Sequence, residues 1–227
     1  NFDHNDGVAV NGLSGSTNWM GYHFKRAKGF FDVVAYTGNS TNGRELKHNL
    51  GVVPEMVWTK SRSDTKNWIV YHSALGNTNT LTLNTNGQAD DESAGMQSTP
   101  TATSLFLNGG NSTNANNQTH IAILFATTAG VSKVGSFTQS GATNVDCGFS
   151  GDTPSFILIK RTDSTGGWYV FDSESGIVAG NDSYLLTNST SAPTTNEDVV
   201  DPYSGGFATT SSLTNGSYIF YAIAAIS

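Results

Sequence analysis

The strongest limit on the fold of this chain is a segment written twice. KSRSDTKNWIVYHSALG (60–76) and KRTDSTGGWYVFDSESG (160–176) match in register: Lys60 with Lys160, Thr65 with Thr165, Trp68 with Trp168, Val70 with Val170, Ser73 with Ser173 and Gly76 with Gly176. Pro54 and Pro154 extend the match upstream without a gap. Self-similarity at a fixed period predicts two copies of one supersecondary unit, and a residue that recurs in both copies is architectural before it is chemical.

The apolar residues around these segments come in short bursts rich in Val, Ile, Phe, Tyr and Trp, separated by Gly, Asn, Ser, Thr and Asp, which is the pattern of strands and turns. In the first half the bursts are FFDVVAY (30–36), EMVWTK (55–60), WIVYH (68–72), LTLN (81–84), SLFL (104–107) and HIAILFA (120–126). VGSFT (134–138), SFILIK (155–160), WYVFD (168–172), SYLLT (183–187), GGFAT (205–209) and YIFYAIA (218–224) follow in the same order in the second. No window carries the i, i+3, i+4, i+7 spacing of an amphipathic helix. The fold class expected is therefore all-β, two homologous β-sandwich-like (jelly-roll-like) repeats packed separately or as one pseudo-symmetric unit. TNWMGYHFK (17–25) is similar to the closing strands THIAILFA and SYIFYAIA. Residues 1–28 are thus expected to hold the closing strand of a preceding unit and a linker, 29–130 the first repeat and 131–227 the second. The opening Asn fits a piece cut from a longer protein.

Within FILIK (156–160) both alternating faces are apolar, Phe156 and Leu158 on one and Ile157 and Ile159 on the other, as in a strand covered on both sides. Trp68 and Trp168 are expected to be equivalent core anchors where each hairpin meets the core. Lys160, at the strand end, is expected to reach solvent.

Composition narrows the function. Charged residues make up only 13% of the chain, so its polar surface must be built mainly from neutral hydroxyl and amide groups. The net charge of −7 argues against a nucleic-acid partner, which requires clustered Lys and Arg to neutralise phosphates. A single cysteine, Cys147, rules out an internal disulfide framework and reads as a small buried thiol rather than a nucleophile. No apolar run approaches the roughly 20 residues of a membrane helix, so membrane insertion is not expected.

The candidate chemical groups each have a plainer reading. Asp90, Asp91 and Glu92 could form an oxygen cage for calcium, but the EF-hand register over Asn84, Asn86 and Gly87 places Thr82 first and Ser93 last, and neither supplies the required acid. Glu197, Asp198 and Asp201 could supply a glycosidase pair, and otherwise form a solvated loop. His72 is replaced by Asp172 in the second copy, so the repeat does not maintain a catalytic pair there. Trp19, Trp58, Trp68 and Trp168 fall on or beside strands and are expected in cores. Tyr203, in VDPYSGG, is read as a loop aromatic and is the candidate for stacking on a sugar ring. No cofactor is expected.

FFDVVAYTGN, HNLGVVPEMVWTK, NWIVYH and KRTDSTGGWYVFD together resemble the repeated β-rich domain of tail-fibre and adhesin-like virion proteins of tailed phages, especially marine and cyanobacterial ones. The resemblance runs from about Trp19 onward. It departs at GFSGDTP, where residues are inserted between Phe149 and Pro154. It implies a non-enzymatic protein on the virion exterior, made in the host cytoplasm, with other virion proteins and a host cell-surface glycan as partners and a homotrimer as its form. The expected function is a tail-fibre receptor-binding adhesin. The alternatives are a structural virion protein, as a capsid decoration or fibre-shaft module, and a polysaccharide depolymerase.

Overall fold

The computed structural model describes residues 21–91, 95–151 and 154–225, and its regular structure is strand apart from one turn of 3-10 helix at Ser73–Leu75. In the first half the strands are β1 Phe31–Thr37, β2 Arg44–Lys47, β3 Met56–Ser61, β4 Ile69–His72, β5 Asn79–Thr82, β6 Asp90–Asp91, β7 Met96–Ser98, β8 Ser104–Leu107 and β9 Thr119–Phe125. The second half has β10 Ser132–Gln139, β11 Thr143–Asp146, β12 Pro154–Arg161, β13 Trp168–Asp172, β14 Asp182–Leu186, β15 Thr194–Glu197, β16 Val200–Tyr203, β17 Gly206–Thr209 and β18 Gly216–Ala224. They form four antiparallel sheets. Two have six strands, in the orders β1-β9-β3-β4-β5-β6 and β10-β18-β12-β13-β14-β15; two have three, β2-β8-β7 and β11-β17-β16.

Adding nine to every label of the first half gives the strand order of the second. In each half the first strand pairs with the last and the second with the last but one, so the chain winds back between the two sheets of a β-sandwich-like unit.

Three apolar layers hold the sheets in a four-deep stack. One outer core joins β2-β8-β7 to the first large sheet through Leu46, Val57, Tyr71, Leu105, Leu107 and Leu124. The other joins β11-β17-β16 to the second through Val145, Ile157, Ile159, Phe171, Phe207 and Phe220. Between the two large sheets lies a mixed core of Phe31, Met56, Val70, Leu81 and Phe125 from the first half and Phe156, Leu158, Trp168, Val170, Ile219 and Tyr221 from the second. Its aromatic rings interlock, with Phe125 4.9 Å from Tyr221 and 4.7 Å from Trp58, so ring contacts add to burial across the join. The strand β12 shows why both faces of FILIK are apolar: Phe156 and Leu158 enter the central layer, Ile157 and Ile159 the outer one.

Two expectations change. Residues 21–26 form no strand. Instead of pairing through backbone, this segment is fixed by side chains: Tyr22 donates its hydroxyl to Asp172 (2.8 Å), and the Phe24 ring lies 5.2 Å from Phe31 and 6.0 Å from Phe156. The rest of the proposed closing strand, including Trp19, lies outside the described residues.

Lys160 is the second correction, since it is fully buried rather than solvated. The β5–β6 connection of the first half folds over the end of β12, and the Lys160 Nζ donates to the carbonyls of Gly87 (2.7 Å) and Arg161 (2.7 Å). Burial, reinforced by the neighbouring Arg161 cation, pushes the Lys160 ammonium down to about 8. The unfolded chain therefore holds this proton more tightly, and stability must rise as pH climbs from about 8 to 10.5. At neutral pH the buried charge costs roughly 3 kcal/mol. Lys160→Met is expected to flatten this rise and to leave neutral-pH stability within about 1 kcal/mol, because an apolar replacement removes the desolvation penalty together with the hydrogen bonds. Urea unfolding from pH 7 to 10.5 checks it; a wild-type slope equal to the variant's would show that Lys160 is not charged in a buried site.

Candidate functional site

The two halves point the same way. The segment after β5 is stitched to the second half by the Trp168 indole N–H to the Thr82 carbonyl (2.9 Å) and the Thr187 hydroxyl to the Leu83 carbonyl (2.8 Å). Backbone bonds from Gly166 N–H to Asn86 (2.9 Å) and from Ala89 N–H to Thr162 (3.0 Å) complete the seam. Because these groups all lie at or beyond the same strand ends, the connections 38–43, 62–67, 83–89 and 108–118 of the first half share one end of the stack with 140–142, 162–167, 187–193 and 210–215 of the second.

This loop end is built mainly from Asn, Ser, Thr and Gly. Its ionic groups are partly neutralised locally, Lys66 by Asp64 (3.3 Å) and Arg161 by Asp163 (2.7 Å). Apart from the exposed Arg62, what remains is mainly amides and hydroxyls, groups that both donate and accept.

The largest difference between the halves is at this end, where the connection 108–118 is longer than its counterpart 210–215. It is fixed by the buried Asn114, whose Oδ1 accepts from Asn39 N–H (3.1 Å) and Arg44 (3.0 Å) and whose Nδ2 donates to Asn39 Oδ1 (3.1 Å) and the Thr41 carbonyl (3.0 Å). The connection approaches β1 so closely that a Cβ on Gly38 would lie 1.9 Å from the Ala115 carbonyl oxygen. Ser40 (φ 54°) and Asn117 (φ 59°) adopt the left-handed region here, a conformation uncommon outside glycine and held by the surrounding hydrogen bonds. Underneath, Tyr36 stacks on the buried His120 (5.2 Å, 16°) and donates to the Thr113 carbonyl (2.5 Å). Phe137 and Tyr218 form the same stacked pair in the second half (5.3 Å, 13°).

The structure separates the two tryptophans of the repeated segment. Trp168 is buried in the central layer, whereas Trp68 is only partly buried and belongs to none of the three cores. The reason is the seam: the first half covers Trp168, and among the described residues nothing equivalent covers Trp68.

Tyr203 is not in a loop but ends the edge strand β16, at the opposite end of the stack from the loop surface. Tyr203 is half-buried. The acidic candidates nearby are engaged in local structure. Glu197 accepts from the Tyr184 hydroxyl (2.8 Å), and Asp201 accepts from Gly180 N–H (3.3 Å). Asp198 differs: its backbone carbonyl accepts from the Thr210 hydroxyl (2.5 Å), while its carboxylate Oδ1 is buried with no hydrogen-bond partner among the described residues. Sequence reasoning overlooked Asp182, which is buried and accepts from the backbone N–H groups of Val199 (3.0 Å), Val200 (2.9 Å) and Val178 (3.3 Å). Burial pushes its carboxyl up, against the pull of those N–H groups. Its role is to hold the turn before β16.

Asp90 and Asp91 form β6, while Glu92 lies outside the described residues; among the described residues no group of three or more His, Cys, Asp or Glu is placed to hold a metal ion. The Cys147 thiol is buried, and burial pushes it up to about 12, far from a reactive thiolate. The inserted residues at GFSGDTP include two outside the described set. Among the described residues no helix is long and apolar enough to cross a membrane.

No curated protein and no solved structure matches the chain. A family model described as a domain of unknown function (DUF7483) matches residues 15–226, and the chain belongs to that family.

Proposed function

We propose that this chain is a non-catalytic adhesin module on the outside of a virion, contacting neutral host-surface glycans through its loop end. The observation that carries the reading is the shared loop end itself, where two sandwiches of the same strand order present a continuous field of amide and hydroxyl groups. Sugars offer hydroxyls that such groups match, and each contact is weak, so useful adsorption comes from several copies acting together. The resemblance to tail-fibre repeats supports the virion setting, and the common strand order supports reading the halves as copies of one unit.

A glycan array probed with the chain displayed on a multivalent scaffold tests the proposal. Neutral glycans are expected to bind and anionic ones to be disfavoured by the net charge of −7. Tyr203→Ala is expected to bind as the wild type does, because Tyr203 stands at the far end. Loss of binding in that variant would move the contact to the β16–β17 turn, and an array with no bound glycan would end the adhesin reading.

A further inference from the structure

The repeated tryptophans share a backbone setting but not a side-chain one. Trp68 N–H donates to Asn84 Oδ1 (3.0 Å) as Trp168 N–H donates to Asn188 Oδ1 (2.8 Å). Leu83 N–H reaches the Trp68 carbonyl (3.0 Å) as Thr187 N–H reaches that of Trp168 (3.2 Å). Each indole is thus launched from the same hairpin corner. Trp168 is then sealed by the other half, its indole N–H satisfied by Thr82, whereas the Trp68 indole N–H has no hydrogen-bond partner among the described residues and the residue is only partly buried.

The surroundings of Trp68 are those of a ligand contact. Asn84, exposed, passes one amide hydrogen to Asn67 Oδ1 (3.0 Å), which leaves its second amide hydrogen and both of those on exposed Asn67 unused. The adjacent Lys66 is paired with Asp64 (3.3 Å), which offsets its charge locally. An amphipathic ring with a free N–H, flanked by unspent amide donors and little net charge, matches a pyranose, which offers an apolar C–H face and a rim of hydroxyls.

We propose that Trp68, with the side-chain amides of Asn67 and Asn84, forms a subsite that stacks one neutral pyranose ring. This rests on the adhesin reading and gives it an address: the corner that pseudo-symmetry fills in one half and leaves open in the other.

Indole N–H signals of the four tryptophans, followed by NMR while methyl glycosides of glucose, galactose, mannose and N-acetylglucosamine are added, report the contact directly. Saturable movement of the Trp68 signal, with the Trp168 signal still, is expected for at least one sugar at roughly millimolar affinity. On the array, Trp68→Ala is expected to bind about tenfold more weakly. Trp68→Phe, which keeps an aromatic face, should stay within about threefold of the wild type, and Asn67→Ala, an exposed change that leaves the ring in place, should lose about threefold. Array binding that survives Trp68→Ala, Trp68→Phe and Asn67→Ala unchanged, with a motionless Trp68 signal, overturns the subsite and leaves the adhesin reading standing. Absence of any bound glycan in both experiments overturns the two together.

Discussion

Trp168→Ala is expected to cost about 3–5 kcal/mol, the range for deleting a large aromatic side chain from a closed core. Few single changes in a chain of this size would do more, since total stabilities are about 5–15 kcal/mol. The loss has two parts. A cavity opens in the central layer beside Leu158 and Val170, and the Thr82 carbonyl loses the indole that reaches it across the join. Trp68→Ala, at the matching position of the other half, is expected to cost only about 1 kcal/mol, because its ring packs into no core. Urea unfolding of the two variants side by side measures the difference. Equal losses would contradict the asymmetry that separates the two corners. Hydrogen exchange should further show protection falling in both halves of Trp168→Ala, because the damaged layer belongs to both.

Acidification is expected to destabilise the fold chiefly through buried histidines of the first half. Three histidines of the first half, His48, His72 and His120, are buried, and residues 131–227 contain none. Burial pushes the His72 imidazole down to about 4, and it pushes those of His48 and His120 down as well. In each case the unfolded chain binds the proton more tightly, so stability is complete above the ordinary histidine value of 6.5 and is lost as pH falls toward the folded value. His72 alone contributes roughly 3 kcal/mol of loss by pH 4. Its Nδ1 accepts from Ala74 N–H (3.1 Å), so His72→Asn offers a side-chain acceptor from the same chain position without the titration. That variant is expected to be about 1 kcal/mol less stable at pH 7 and distinctly less sensitive between pH 6.5 and 4. Denaturation midpoints across this range test the slope, and an unchanged slope in the variant would remove His72 from the account.

The large sheets were legible in the sequence and their margins were not. Every strand of the central hairpins was marked by an apolar burst, within about two residues, because a strand buried on one or both faces must be written in Val, Ile, Phe, Tyr or Trp. The strands with no such mark are β2, β6, β7, β11, β15 and β16, and each is the edge of its sheet. RELK, TNVD and TTNE alternate polar residues or bury a single side chain, and VDPY carries a proline that an edge tolerates and a central strand does not. In the sequence, Tyr203 therefore has the look of a loop residue.

The fate of Lys160 and the contrast between Trp68 and Trp168 were illegible for a different cause. The repeated segment specifies the same corner twice, and only the packing of one copy on the other decides which corner is covered. Asn114 shows a third limit: one Asn among many in 108–118, it is distinguished by four hydrogen bonds that only a folded loop can make.

The mixed central layer also sets a timetable for synthesis. By Phe125 the ribosome has made every first-half residue of that layer, yet Tyr221 arrives about 100 residues later, roughly 5–20 s at ordinary rates of elongation. Before Phe156, Leu158, Trp168 and Val170 are made, the nascent chain displays a broad face of Phe31, Met56, Val70, Leu81 and Phe125 largely uncovered, and closure of the layer waits for Ile219 and Tyr221. Chains emerging from neighbouring ribosomes on one message offer each other the same face, so slow elongation or truncation near residue 130 favours aggregation between chains over the intended closure within one.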